Sequence, residues 1–381
     1  MITIPVSAIK DARKLLTRLR FERLKLPILK NVILMIDRTG VSLAVTDLDH
    51  WLETRLPVKG CSHELQRYLI PAQAFAAAAR GNKGSLVQFD FVQDGENSAL
   101  TLSVMCGQIP VETIYQTGNV NDFPVRPSIK GGVTAIPKKT LQAIQKVAAC
   151  ASTDTTRHVL NGVLFSPENG GILIATDGRR LAGAPASVTR QAFILSNQAV
   201  HVLGHSDFTN RDAAVLQEDG VANAPVQFRS AQHTLIAKPL EERYPEFQKA
   251  IPRDVPVAIT FDECRRIALV MWLRSLPCTV NSVRLTWETA SHVTLTHRES
   301  GQVAGTIQVP VTIQGRAPVI SFDPKYLADA LNIGRTLRLG DGLNLGLAED
   351  GQGNFCLLMC RREAVEEVST TSVGSSVAIA V

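Results

Sequence analysis

Val159-Leu160-Asn161-Gly162-Val163-Leu164-Phe165 repeats, 130 positions on, the pattern of Leu29-Lys30-Asn31-Val32-Ile33-Leu34-Met35. Each block is followed by a turn, Asp37-Arg38-Thr39-Gly40 or Pro167-Glu168-Asn169-Gly170. Each turn leads into a strand ending in Thr-Asp: Leu43-Ala44-Val45-Thr46-Asp47 and Leu173-Ile174-Ala175-Thr176-Asp177. A fainter third copy begins at Asn281-Ser282-Val283-Arg284-Leu285 and runs on to Val293-Thr294-Leu295-Thr296. Self-similarity at a fixed long period marks a chain assembled from repeated units.

Working outward, each copy follows an amphipathic helical pattern. Ile9, Ala12, Leu15, Leu16 and Leu19 recur at helical spacing between Lys10, Arg13, Lys14 and Arg18. Pro137 opens the second pattern, in the position a helix start tolerates, with Leu141, Ile144, Val147 and Ala148 as its apolar stripe and Lys138, Lys139 and Lys146 as its basic one. Phe261-Asp262 opens the third, with Ile267, Leu269, Val270 and Leu273 apolar and Arg265, Arg266 and Arg274 basic. A second strand-to-helix unit recurs at Tyr68–Arg80, Phe193–Leu203 and Val319–Leu331. Asp94-Gly95, Asp219-Gly220, Asp341-Gly342 and Asp350-Gly351 supply the positive φ of hairpin turns. Strands alternate well, as in Val87-Gln88-Phe89-Asp90-Phe91.

Pro-marked joints close the units: Asp122-Phe123-Pro124-Val125-Arg126-Pro127 and Arg243-Tyr244-Pro245-Glu246-Phe247. The reading is an α+β chain of three similar domains, 1–127, 128–252 and 253–362, with a flexible tail at 363–381. That tail runs from acids, Glu363, Glu366 and Glu367, through a Ser/Thr/Gly stretch to an apolar end, an order suited to a weak self-ligand for a basic-rimmed apolar pocket.

Composition narrows the classes. With 45% hydrophobic and 20% charged residues over 381 positions, the chain is ordinary globular material, with length for two or three cores. Only 3 Trp, 4 Tyr and 13 Phe are present, so the cores are mostly aliphatic. No apolar run approaches the roughly 18 residues of a membrane span, and the N-terminus lacks the pattern of a signal peptide. Seven scattered Cys, an odd number, argue for a reducing, cytoplasmic setting rather than a disulfide framework. A net charge of +5 permits nucleic acid as a partner without singling it out.

Catalytic signals are poor. Gly340-Asp341-Gly342-Leu343-Asn344-Leu345-Gly346 has the wrong spacing for a dinucleotide loop and sits between strands. Cys356 and Cys360 face one side of a strand without a His partner, and His201 and His205 stand at i,i+4 without a third ligand, so no metal and no cofactor are expected. Asp47 and Asp177 read as turn-capping residues at equivalent repeat positions. Three equivalent helices that each keep basic residues are more telling. If rotation relates the repeats, their stripes converge on one surface suited to a phosphate backbone and blind to base sequence.

Ala175-Thr176-Asp177-Gly178-Arg179-Arg180-Leu181-Ala182 resembles the Ala-Thr-Asp-Gly-His-Arg-Leu-Ala signature of the bacterial DNA sliding clamp, the beta subunit of DNA polymerase III. Leu26–Asn31, Thr46-Asp47-Leu48, Arg157–Phe165, Arg243–Phe247 and Phe322–Leu327 agree in order and spacing, so the resemblance covers about residues 1–362. It implies three similar DNA-clamp domains per chain and a head-to-tail homodimer closing a ring, helices inside and sheets outside. It implies a non-catalytic processivity factor around double-stranded DNA. A polymerase catalytic subunit and a clamp loader would dock through short hydrophobic peptides.

Carried over residue by residue, the resemblance puts Arg23, Arg157 and the altered His158 against DNA, with Lys10, Lys14, Lys139, Lys146 and Arg266 from the basic stripes. It puts Thr176, Gly178, Arg179, Arg180, Leu181, Pro245, Lys249, Leu357, Met359, Cys360, Arg361 and Arg362 around a partner-peptide pocket. Arg179 replaces the family's His, and Cys360-Arg361 stand where the family has Pro and Met. A charge in an apolar wall weakens a hydrophobic peptide site unless the guanidinium reaches out to solvent. Phe75, Ile109, Trp272 and Leu273 fall near the dimer interface. The alternatives are a divergent accessory clamp with an altered pocket, a metal-dependent nucleic-acid enzyme using Asp47 or Asp177, and a scaffold without nucleic acid.

Overall fold

The first two repeat blocks form strands within sheets rather than helices, because apolar residues on both their faces need cover on both sides. The fold is seen in a computed structural model. It describes residues 1–361 except 59–63, 93–97, 187–190, 211, 219, 222, 253, 278, 281, 288, 300–301, 316–318 and 341–344, with only the main chain of 169, 207 and 299. Asp94-Gly95, Asp219, Asn281, Asp341-Gly342, Arg362 and the expected tail therefore lie outside the described residues.

The first repeat runs β1 (Ile2–Pro5), α1 (Val6–Leu16), β2 (Asn31–Asp37), β3 (Gly40–Thr46), β4 (His50–Leu56), β5 (Gln66–Pro71), α2 (Ala72–Ala78), β6 (Leu86–Val92), β7 (Ala99–Cys106) and β8 (Ile109–Gln116). The second runs β9 (Gly132–Ile136), α3 (Lys138–Ala148), β10 (Gly162–Ser166), β11 (Ile172–Thr176), β12 (Arg180–Pro185), β13 (Phe193–Ser196), α4 (Asn197–Leu203), α5 (Ser206–Thr209), β14 (Ala213–Gln217), β15 (Val226–Arg229) and β16 (His233–Ala237). The third runs β17 (Val257–Thr260), α6 (Glu263–Ser275), β18 (Val283–Thr286), β19 (His292–Glu299), β20 (Gln302–Pro310), β21 (Thr312–Gln314), β22 (Ile320–Phe322), α7 (Pro324–Ile333), β23 (Thr336–Leu339), β24 (Leu345–Glu349) and β25 (Phe355–Met359). Asp262 caps α6 by accepting the Arg265 amide at 2.9 Å, and Ser196 caps α4 by accepting the Ala199 amide at 3.1 Å.

Two sheets cross from one repeat to the next. β5-β2-β3-β4 continues through an antiparallel β4–β16 ladder into β16-β15-β14-β9. Likewise β13-β10-β11-β12 continues through β12–β25 into β25-β24-β23-β17-β21. Two four-stranded sheets, β1-β6-β7-β8 and β20-β19-β18-β22, end on β8 and β20. The helices pack on one face of the long sheets, where Ile9, Leu15, Leu43, Val45, Leu141, Ile144, Leu331 and Leu358 belong to a continuous buried core.

The other face carries two smaller clusters, one at each crossing. Ile33, Ala44, Trp51, Leu69 and Ile236 gather under Phe123. Ile174, Leu181, Leu347 and Leu357 gather under Tyr244 and Phe247. The two Pro-marked joints are thus straps over the outer sheet face. Phe123 is 1% exposed and meets Trp51 edge-on at 6.2 Å.

Three expectations change. Ile267 is exposed, because the buried side of α6 is Leu269, Val270 and Leu273. His205 lies beyond the end of α4, so it does not share a helical face with His201. Asp350-Gly351 begins a loop from 350 to 354, closed by the Asp350 amide on the Asn354 carbonyl at 3.2 Å, rather than a two-residue hairpin. No helix among the described residues is long and apolar enough to cross a membrane.

Candidate functional site

The two Thr-Asp turns are the same structure built twice. Thr46 Oγ1 donates to the His50 carbonyl at 2.7 Å, and Thr176 Oγ1 to the Arg180 carbonyl at 2.6 Å. Asp47 Oδ1 accepts the Asp49 and His50 amides, and Asp177 Oδ1 those of Arg179 and Arg180. Asp47 Oδ2 lies 2.9 Å from His50 Nδ1, as Asp177 Oδ2 does from Arg180 Nε. Both carboxylates are therefore engaged in shaping turns. Gly178 has φ +85°, the left-handed region glycine tolerates, whereas the equivalent Leu48 holds φ +80°.

The second turn forms one side of an outer patch at the β12–β25 crossing. Successive strand residues face opposite ways. Leu181 and its cross-strand partner Leu357 therefore share the outer cluster, while Arg180 and Leu358 share the helix side. Met359 is 56% exposed beside them, and its amide donates to the Arg179 carbonyl at 2.9 Å. Gly183 pairs with Phe355, whose ring lies where a Cβ would sit, 2.5 Å away. Pro245, Lys249 and Arg179 are exposed.

Several expected pocket residues point elsewhere. Arg180 is turned inward, bonded to Asp177 and to Asp329 of α7, with its guanidinium 4.4 Å from the Tyr326 ring centre. Strand parity forces this once Leu181 faces out. Cys360 also packs against the helix-side core, where burial pushes its thiol up to about 12. Arg361 pairs with Asp323 at 2.9 Å, and Lys249 with Glu246 at 2.6 Å, so these two of the cations expected around the pocket are paired with acids. Arg362 lies outside the described residues.

A cavity of about 700 Å³ opens on the other side of the turn, lined by Arg157, Arg179, Arg180, Asn197, His201 and Tyr326 among others. Here one expected nucleic-acid residue, Arg157, meets the turn itself: its guanidinium would touch a Cβ at Gly178 at 3.1 Å. Burial lowers the His201 pKa, and nearby Arg18 and Arg20 lower it further. Arg18 also donates to the His201 carbonyl at 2.6 Å. Arg18 and Arg20 thus join the basic face at the first crossing. Both lie past the end of α1; Arg18 belongs to the basic stripe read from the sequence, whereas helical spacing gives no cue to Arg20. Arg23, Arg157, His158, Lys139 and Lys146 are exposed.

Three other cations are engaged. Lys14 pairs with Asp11 at 3.1 Å, and Lys10 donates to the Gly81 carbonyl at 3.0 Å. Arg266 forks onto Glu263 at 2.6 Å and also donates to the Leu331 carbonyl, which removes it from any open face.

Of the expected interface residues, Phe75 and Leu273 are core, 0% and 1% exposed, and present no surface. Trp272 is half-buried against the core, its ring 6.0 Å from that of His297. Ile109, 67% exposed, stands on β8 with Val111 at 39% and Ile114 at 68%. Met271 at 68% joins Ile267 one turn away on α6. Between Arg266 and Arg274 the helix is apolar all round, so the spacing of residues 267–273 gave no sign of which would be left uncovered.

No family model matches the chain. A curated relative named Beta sliding clamp, from Chlamydia pneumoniae, is 24% identical over 360 residues, covering 88% of this chain and 92% of its own. The DNA polymerase III subunit beta from Pseudomonas aeruginosa superposes with a TM-score of 0.77 at 21% identity, over 95% of this chain and 100% of that one. A DnaN sliding clamp from Bartonella birtlesii, bound to griselimycin, gives 0.78 at 20% identity over 95% and 99%. The fold is that of these clamps.

Proposed function

We infer from these likenesses that the chain is a sliding clamp of the bacterial beta type, a non-catalytic processivity factor of a DNA polymerase. Its working form, in this reading, is a head-to-tail homodimer of domains 1–127, 128–252 and 253–362. The observation that carries it is the pattern of sheet edges. Two crossings between repeats are antiparallel ladders, and the two remaining sheets end on β8 and β20, strands of 8 and 9 residues. Long bare edges template pairing with another chain. Joining β8 of one copy to β20 of another repeats the internal crossing, and two such contacts close a ring.

Double-stranded DNA would pass the helix face, held without base readout by Arg23, Arg157, Lys139 and Lys146, with Arg18 and Arg20 added. Polymerase and loader peptides would dock on the outer patch of Thr176, Gly178, Leu181, Pro245, Leu357 and Met359. The decisive experiment is retention on nicked circular duplex and release once the circle is cut. A chain that leaves circles and linear DNA equally fast refutes the ring.

A further inference from the structure

We propose that Asp329, a residue of α7 in the third repeat, is a positioning residue for the outer patch, although it does not touch it. This rests on the partner-pocket reading above. The patch is divided between two repeats: Thr176, Gly178 and Leu181 come from the β11–β12 turn of the second, Leu357 and Met359 from β25 of the third. Its shape is therefore the relative placement of those two pieces. Arg180 ties them together. One end of its guanidinium holds Asp177, whose other oxygen accepts the Arg179 and Arg180 amides and so fixes the turn. The other end reaches Asp329 across the crossing, and Asp329 Oδ1 is held in turn by Arg274 of α6 at 3.2 Å.

The Arg180 side chain is 12% exposed, so water compensates little if an anion is lost. A buried guanidinium stripped of one partner moves to find another, because an unpaired buried charge is costly. A shifted guanidinium strains its bond to Asp177 Oδ2, and Asp177 Oδ1 is what holds the turn. The Met359 amide hangs from the Arg179 carbonyl, so that exposed wall residue is strained too. The route from α7 to the patch is thus Asp329, Arg180, the turn, Met359. Each step is a hydrogen bond or an ion pair.

The test uses the full chain and two readouts. In Asp329→Ala, amide exchange at Arg179, Arg180 and Met359 should quicken by about 10-fold or more, while core strands such as β2 and β10 keep their rates. Griselimycin, the molecule bound in the Bartonella relative, should bind about 10-fold more weakly. In an Arg180→Met background the same substitution should add less than about 2-fold, since it acts through that side chain. Unchanged exchange at the three amides overturns the proposal, as does an undiminished effect in the Arg180→Met chain. If Asp329→Ala loosens the whole chain, Asp329→Asn, which keeps the volume, decides instead: local quickening supports the role and none refutes it. Failure of griselimycin to bind the unaltered chain would sink the pocket reading, while the exchange rates still decide the role of Asp329.

Discussion

Replacing Ile109 and Val111 together by Ser should convert the proposed β8–β20 dimer into monomers without harming the fold. The two residues lie two apart on β8, so they share the sheet face whose inner neighbours, Thr113 and Tyr115, are partly covered. They are 67% and 39% exposed in the single chain. Fully burying such a side chain stabilises by ~1.5–3 kcal/mol, so covering only these exposed fractions is worth about 1–2 and 0.6–1.2 kcal/mol. Each contact thus loses roughly 1.6–3.2 kcal/mol, or about 15- to 230-fold in affinity. A ring has two such contacts, so its dissociation constant should rise by about two to nearly five powers of ten. Sedimentation at nanomolar to micromolar concentration reads this as a shift from twice the 41.3 kDa chain mass to the single mass. The melting temperature of the monomer should hardly move, because the side chains removed support little of its core. A double variant that stays dimeric across that range, or a parent that is already monomeric, refutes the edge-pairing reasoning.

Other outcomes follow from single sites. Arg23→Ala and Arg157→Ala should each flatten the plot of log affinity for duplex against log salt by about 0.9, and should do so on any base sequence. Leu48→Gly should raise stability by roughly 1 kcal/mol by relieving a left-handed leucine, and Gly178→Leu should lower it; paired urea titrations check both. Iodoacetamide at pH 8 should modify the exposed Cys264 well before Cys360, Cys150 or Cys356, which peptide mass mapping resolves. The Cys360 thiol is raised from its ordinary value to about 12, so its contribution to stability is complete below about pH 9 and is lost as pH climbs toward 12.

The threefold plan was legible because each repeat carries local signals. These are the Asn31 and Asn161 blocks, the Thr-Asp strand ends, and the Phe123-Pro124 and Tyr244-Pro245 joints that became straps. The capping roles of Asp47 and Asp177 were legible for the same reason, since a turn closes within a few residues. Facing directions were not. Arg180 and Leu181 are neighbours of equal standing in sequence, and only the crossing with β25 decides which one meets the outer cluster. Phe75 and Leu273 were hidden by a related difficulty: a large apolar residue suits a core and an interface equally well. The engagement of Arg266 with Leu331 or of Arg361 with Asp323 depends on side chains brought together by the fold, which spacing alone does not encode.

The ladders joining β4 to β16 and β12 to β25 consist of main-chain groups, and every residue except proline supplies them. The bend of the chain at each crossing is therefore nearly indifferent to which side chains occupy those strands. Mutation can redraw the outer patch or shift cations along the helix face while the main chain keeps its course. That indifference explains how a chain sharing about a fifth of its residues with the Pseudomonas aeruginosa subunit still follows it over 95% of its length. It also marks where drift must stop: a proline at Trp51, Ile236, Leu181 or Leu357 would break a rung that no other substitution touches.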